Sequence, residues 1–264
     1  VRERFEEIDF AAGRLRAVRT GHGPDIVIVH SLLADRTAFD PVVPALAAKF
    51  RVTLVNLPGF HGSAVLDGGI DAFGDRIASV FDSGAYGPET IVVGNGFGGT
   101  VAVAMAVRHG SRFGRMVLSD VAAGFPPEGR AAFAHMAEKV EREGIGSVAA
   151  ISARRVFHAA YLAKHPDAED ARRAVLLGIA PAGFIAACRA LTQTDLVPLL
   201  PTIRNPTLVV CGELDAATPP ALCRQLAQGI PGAQYVELPG CGHCPPLEQP
   251  ETFLRTVEPF LTAA

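Results

Sequence analysis

Six short runs of branched aliphatic residues punctuate the chain: "DIVIVH" (25–30), "RVTLVNL" (51–57), "ETIVVG" (89–94), "RMVLSD" (115–120), "PTLVVCG" (206–212) and "AQYVEL" (233–238). Amphipathic segments fill the gaps, near 38–49, 70–83, 98–109, 219–229 and 249–262. A strand that reads as nearly continuous Val, Ile and Leu is buried on both faces, and strands separated by helices run parallel. This alternation therefore restricts the chain to an open α/β sheet with helices on both sides. The first residues differ: "RFEEIDF" and "GRLRAVRTG" alternate like a hairpin and predict an antiparallel edge. The expectation is a mostly parallel eight-stranded sheet flanked by helices.

One stretch breaks the rhythm. From about 125 to 195 there are only helical runs, such as "PPEGRAAFAHMAEKVEREG" and "PAGFIAACRALTQTD". We read residues 1–124 and 196–264 as the core and 125–195 as a helical lid over the strand ends, where open parallel sheets bind ligands. With 264 residues, one such domain buries a sizeable core.

Composition excludes several function classes. A net charge of -3 gives no basic field for nucleic acid. No run approaches the roughly 18 apolar residues of a membrane span, and "VRERFEEIDF" lacks the apolar segment of a signal peptide. A cytoplasmic setting is expected. The five cysteines are odd in number, with no disulfide-framework spacing. Cys241 and Cys244 form a C-x-x-C, but Pro245-Pro246 follows at once, so both read as buried or loop thiols.

The chemistry sits where strands end. After "ETIVVG" comes Asn95-Gly96-Phe97-Gly98-Gly99 and a small-residue helix. Gly94 and Gly98 allow a tight turn, and Gly96 stands where the backbone needs a positive φ. Strand 206–212 leads to Asp215 in "CGELDAATPP", and the last strand leads to His243 in "LPGCGHCPPLEQPETF". A carboxylate that fixes an imidazole tautomer lets the His take a proton from a hydroxyl or from water. "VIVHSLLAD" places His30, Ser31 and Leu32 after the first parallel strand, so the N–H of Leu32 can join that of Phe97 in holding an oxyanion. Asp120, ending the strand before the helical stretch, rivals Asp215 as the acid.

Together these residues resemble the α/β-hydrolase fold family over essentially the whole chain. The segments "HSLLADRTAFDPVVPALAAKFRVTLVNLPGFHGS", "GNGFGG" and "GCGHCPPLEQPE" are most similar to the 3-oxoadipate enol-lactonase and carboxylesterase group. The resemblance implies hydrolysis of a small ester or enol-lactone with no metal or organic cofactor, acting on a small-molecule substrate. It implies an oxyanion site at Leu32 and Phe97, a pocket shaped by Ser31, Phe157 and Phe184, and Arg154 or Arg155 to read a substrate carboxylate. A solvated helix face accounts for those arginines equally well.

Two positions depart from the family pattern. Asn56 stands where relatives carry Asp, and Gly96 occupies the position of the nucleophilic serine in G-x-S-x-G. Four readings of Gly96 follow: an engineered inactive hydrolase; a natural homologue that binds without turnover; a site in which His243 activates water in the vacated volume; or recruitment of Ser31, Cys244 or Cys241 as nucleophile. A dinucleotide-binding loop is disfavoured, since that fingerprint belongs on the first strand of a βαβ unit with an acidic residue about 20 positions on.

Overall fold

The computed structural model describes residues 5–263. Its eight strands are β1 (Glu6–Phe10), β2 (Leu15–Thr20), β3 (Asp25–Val29), β4 (Arg51–Val55), β5 (Ile91–Asn95), β6 (Arg115–Ser119), β7 (Thr207–Gly212) and β8 (Gln234–Leu238). They form one sheet in the order β1-β2-β4-β3-β5-β6-β7-β8. The pairs from β4 through β8 are parallel, whereas β1–β2 and β2–β4 are antiparallel. β5 is buried along its whole length, as a central strand covered on both faces must be. The edge hairpin is instead half exposed, which explains its alternating sequence.

The strand order positions the site. The chain passes from β3 to β4 on one side and then returns to place β5 on the other, so the loops leaving β3 and β5 diverge. In open α/β sheets the crevice at such a reversal is where ligands bind. Val29 pairs with Gly94 across it, and the segments after these residues carry Ser31 and Gly96.

Helix Phe97–His109 is buried over most of its length and leaves β5 without a connecting loop. Its close approach depends on glycines: a Cβ on Gly94 would lie 2.5 Å from Gly99 Cα, and one on Gly98 would strike the carbonyls of Val29 and His30. Between β6 and β7 run five α-helices, Pro127–Glu143, Gly146–Val156, Ala159–Lys164, Asp167–Leu177 and Pro181–Gln193, and then the 3-10 helix Val197–Thr202. The segment expected as a helix over 38–49 is instead a 3-10 turn, Arg36–Phe39, followed by the short helix Val43–Ala47. Pro41 and Pro44 deny donors to any longer helix there. Among the described residues no single helix is long and apolar enough to cross a membrane.

Candidate active site

His243 lies in the loop after β8, 7% exposed, with its backbone N–H given to Val156 O at 3.1 Å. Its Nδ1 is 2.8 Å from Asp215 Oδ2, so the ring proton sits on that side and Nε2 is left as an acceptor facing the strand ends. Asp215 is held in turn. Its Oδ1 accepts from the N–H groups of Ala217 (2.7 Å) and Thr218 (3.0 Å), and its Oδ2 from Thr218 Oγ1 (2.6 Å). Burial alone would push this carboxyl up, but His243 and the Thr218 donors outweigh it and hold Asp215 below the usual carboxylate range.

Asp120 has a different place. Its Oδ1 accepts from Gly212 N (2.8 Å) and its Oδ2 from Ser119 Oγ (2.7 Å), with φ at +57°. Burial, reinforced by the charge of Asp215, pushes its carboxyl well above the usual range. Asp215 is therefore the carboxylate bonded to the imidazole, and burial disfavours charge on the neighbouring Asp120. Asp120, Cys211 and Asp215 bring ligand-type atoms within 4.8 Å of one another. All four carboxylate oxygens already accept hydrogen bonds from protein donors, so the cluster reads as a hydrogen-bonded support rather than a cation site.

Gly96 has φ +52° and ψ -122°, the strained turn expected at a nucleophile position. A Cβ there would lie 2.8 Å from His243 Nε2, so the position points straight at the imidazole. Phe97 opens the following helix and has no carbonyl one turn back to receive its N–H. The N–H of Leu32 likewise has no acceptor among the described residues.

The direction of the Leu32 amide is set by His30. Leu57 N donates to His30 Nε2 (3.1 Å), which leaves Nδ1–H to donate to Ser31 O (2.9 Å). Because a trans peptide points its C=O and N–H in opposite directions, anchoring Ser31 O also aims Leu32 N–H. Burial pushes the His30 imidazole down to about 4, keeping it the neutral ring this role requires.

A cleft of about 50 Å³ in front of His243 is lined by Ser31, Leu32, Gly96, Phe97 and Thr218, and by Leu33, Phe125, Phe133, Met136 and Leu191. Arg155 completes the wall. A more open cavity of about 480 Å³ at the β1–β2 edge has polar walls and lies away from His243, so chemistry and not volume selects the site.

Three residues expected to shape the pocket do not line this cleft. Arg154 is exposed and paired with Glu169 at 3.3 Å, while Arg155 reaches the cleft. Successive helical residues point about 100° apart, so helix Gly146–Val156 aims only one of the two inward. Phe184 is fully buried, since its helix presses Gly183 onto Gly59 and turns the ring into the core. Phe157 stacks on Tyr161, ring centroids 4.7 Å apart, behind the His243 loop.

Supporting residues emerge that sequence alone did not single out. Asn95 Nδ2 donates to both Ser119 O (3.0 Å) and His243 O (3.1 Å), tying the His loop to β5 and β6. Glu248 accepts from His158 N at 2.7 Å and also from Gly242 N, clamping the loop that carries His243. Asn56, the departure noted above, is buried and donates to His61 O at 3.2 Å. The sequence signal for Thr218 is its spacing from Asp215, since an Asp caps an amide three residues on.

A sequence model described as the alpha/beta hydrolase family matches residues 26–256, and the chain belongs to that family. The enol-lactonase from Burkholderia xenovorans LB400 superposes with a TM-score of 0.90 at 31% identity, covering 98% of this chain and 100% of that one. A thermophilic esterase from Thermogutta terrifontis, with malate bound, gives 0.87 at 31% identity and 98% coverage of each. Among sequence relatives, the pimeloyl-[acyl-carrier protein] methyl ester esterase of Aeromonas hydrophila is 28% identical over 260 residues, 92% of this chain and 97% of that one.

Proposed function

We propose that the protein hydrolyses small carboxylic esters or enol-lactones whose substrates carry an anionic group. The observation that carries this reading is His243, with Nδ1 held by Asp215 and Nε2 turned into a cleft beside two unengaged amides, those of Leu32 and Phe97. In this arrangement His243 takes the proton from an attacking hydroxyl, Asp215 stabilises the imidazolium, and the two amides receive the charge that develops on the carbonyl oxygen. The base then returns the proton to the departing alkoxide.

The anionic preference rests on Arg155. It is half-buried beside Phe125, Phe133 and Met136, and no carboxylate pairs with it among the described residues. A guanidinium in an apolar wall is well placed to hold a carboxylate with two parallel hydrogen bonds. The Thermogutta esterase structure holds malate, itself a dicarboxylate, and the Burkholderia relative is an enol-lactonase, which supports both parts of the substrate class. We assign residues 125–195 as a lid. The cleft holds only about 50 Å³, below the roughly 300 Å³ of a formed small-ligand site, which supports a lid that parts to admit substrate. The five free, buried cysteines fit a reducing, cytoplasmic setting.

Gly96 favours a second reading, in which the same cleft binds its ligand without turnover. A panel of neutral and carboxylate-bearing esters and lactones, assayed with the protein and with His243→Ala, separates the two. Hydrolysis lost in the His243 variant is the expected result. Tight binding of a carboxylate ester with no His243-dependent turnover would establish the binder instead.

A further inference from the structure

A glycine at position 96 does not leave His243 without a hydroxyl. Ser31 Oγ lies 3.4 Å from His243 Nε2 and lines the same cleft, in a residue only 4% exposed. With Nδ1–H committed to Asp215, Nε2 is the acceptor and the Ser31 hydroxyl the donor. The distance is slightly long, as it often is for nucleophile and base before substrate tightens the pair.

The same hydroxyl stands where a side chain on residue 96 would begin: a Cβ there would collide with Ser31 Oγ and lie 2.9 Å from Ser31 Cβ. A side chain at 96 and Ser31 in this rotamer therefore exclude each other. Glycine is what lets Ser31 reach the base. Its backbone is already fixed, because His30 holds its carbonyl, and the next amide, that of Leu32, stands free.

The alternative nucleophiles do not have this placement. Cys241 and Cys244 are buried, and neither thiol is bonded to His243. Burial pushes Cys244 up to about 12 and Cys241 higher still, so neither supplies thiolate at neutral pH.

We infer that Ser31 is the nucleophile of this hydrolase, doing from the β3 loop what a serine at position 96 does in G-x-S-x-G relatives. The inference rests on the hydrolase reading above. As Ser31 Oγ bonds to the ester carbonyl carbon, its proton passes to His243 Nε2 and the carbonyl π pair moves onto oxygen, facing the amides of Leu32 and Phe97. Collapse restores the C=O and breaks the bond to the alcohol oxygen, which leaves with the proton from His243. Water then attacks the acyl-Ser31 ester, giving a proton to His243. The acid departs as Ser31 Oγ takes that proton back. The sum is ester plus water to acid plus alcohol.

The test combines covalent labelling with turnover. The full chain and its Ser31→Ala, Ser31→Cys and His243→Ala variants are treated with a fluorophosphonate, and the adduct is located by peptide mass spectrometry. Each protein is also assayed on the ester panel. The expected result is an adduct on Ser31 that requires His243, with Ser31→Ala lowering kcat by at least about 10³-fold. Ser31→Cys keeps a nucleophile in place and should accumulate a thioester, which a misfolded protein would not do. Turnover that depends on His243 yet survives unchanged in Ser31→Ala, with no adduct on Ser31, overturns the assignment in favour of water and leaves the hydrolase reading standing. If the unaltered chain neither turns over nor labels, the hydrolase reading fails and Ser31 falls with it.

Discussion

Ser31 and any side chain at position 96 compete for one volume, so Gly96→Ser and Ser31→Ala must be energetically coupled. Gly96→Ser incurs two costs. Its φ of +52° lies in the left-handed region, where a non-glycine residue costs about 1–3 kcal/mol. The new Cβ also crowds Ser31 Oγ, Ser31 Cβ at 2.9 Å and His243 Nε2 at 2.8 Å, and overpacking of this kind adds about 1–3 kcal/mol. Together they give a destabilisation of about 2–6 kcal/mol. Ser31→Ala by itself removes one long hydrogen bond, worth about 0.5–1 kcal/mol. In the double variant the tightest of the three contacts is gone, so it should be more stable than the sum of the single changes by about 1–2 kcal/mol. Urea midpoints of the four proteins at constant m-value measure this. Additivity within about 0.5 kcal/mol would refute the claim that the Ser31 hydroxyl fills the space at position 96.

Two further outcomes are expected. Arg155→Met removes a charge-assisted hydrogen bond worth about 1.5–3 kcal/mol, so KM for carboxylate-bearing esters should rise by about 10–100-fold while neutral esters are unaffected; an equal loss on both would deny Arg155 a role in recognition. Asp120 carries a raised pKa, so above about pH 4 the folded state keeps a proton that the unfolded chain has released, and stability falls as pH rises toward the folded value. Asp120→Asn should abolish that loss while leaving the opposite contribution of Asp215, which disappears as pH falls through its depressed value. Unfolding free energies at about pH 5 and about pH 8 test it, and equal slopes for the two proteins would count against a raised Asp120.

How far the sequence carried the argument depends on the range of the interaction that decides each feature. The parallel strands were legible because full burial leaves an unbroken aliphatic run, and observed ends differ by one or two residues, as at Arg51–Val55 against 51–57. That Asp215 and His243 come together was legible because both follow the ends of neighbouring parallel strands. The choice between Arg154 and Arg155 was not, since it depends on the rotational phase of a helix against the core. The burial of Phe184 away from the cleft was not legible for a related reason: Gly183 packs against Gly59, and no local pattern reports a backbone approach across 124 positions (183 minus 59). Ser31 stood as one of three possible nucleophiles, and only its placement against a residue 212 positions away singles it out.

Those distant contacts also explain why the turn at Gly96 keeps its shape with no side chain to present. Gly96 N donates to Ser119 O at 3.0 Å, and its carbonyl accepts from the N–H groups of Gly99 and Thr100, each at 3.0 Å. Asn95 joins the same Ser119 carbonyl to His243 O, so the turn and the His loop are fastened to one point on β6. The conformation is thus imposed by neighbours, and strain of this sort persists where the surroundings over-determine it. Glycine relieves the φ penalty without loosening any of these bonds, and the volume it frees faces the base. With His243, Asp215 and the Ser31 backbone all anchored, the main remaining freedom between hydroxyl and imidazole is the Ser31 side-chain torsion, which has three staggered wells. Only a rotamer that points into the space above Gly96 brings the hydroxyl to Nε2. A side chain at 96 therefore does more than add a group: it closes the well through which Ser31 reaches His243 Nε2, so under the proposed assignment a serine at 96 would replace Ser31 as the attacking hydroxyl and could not act beside it.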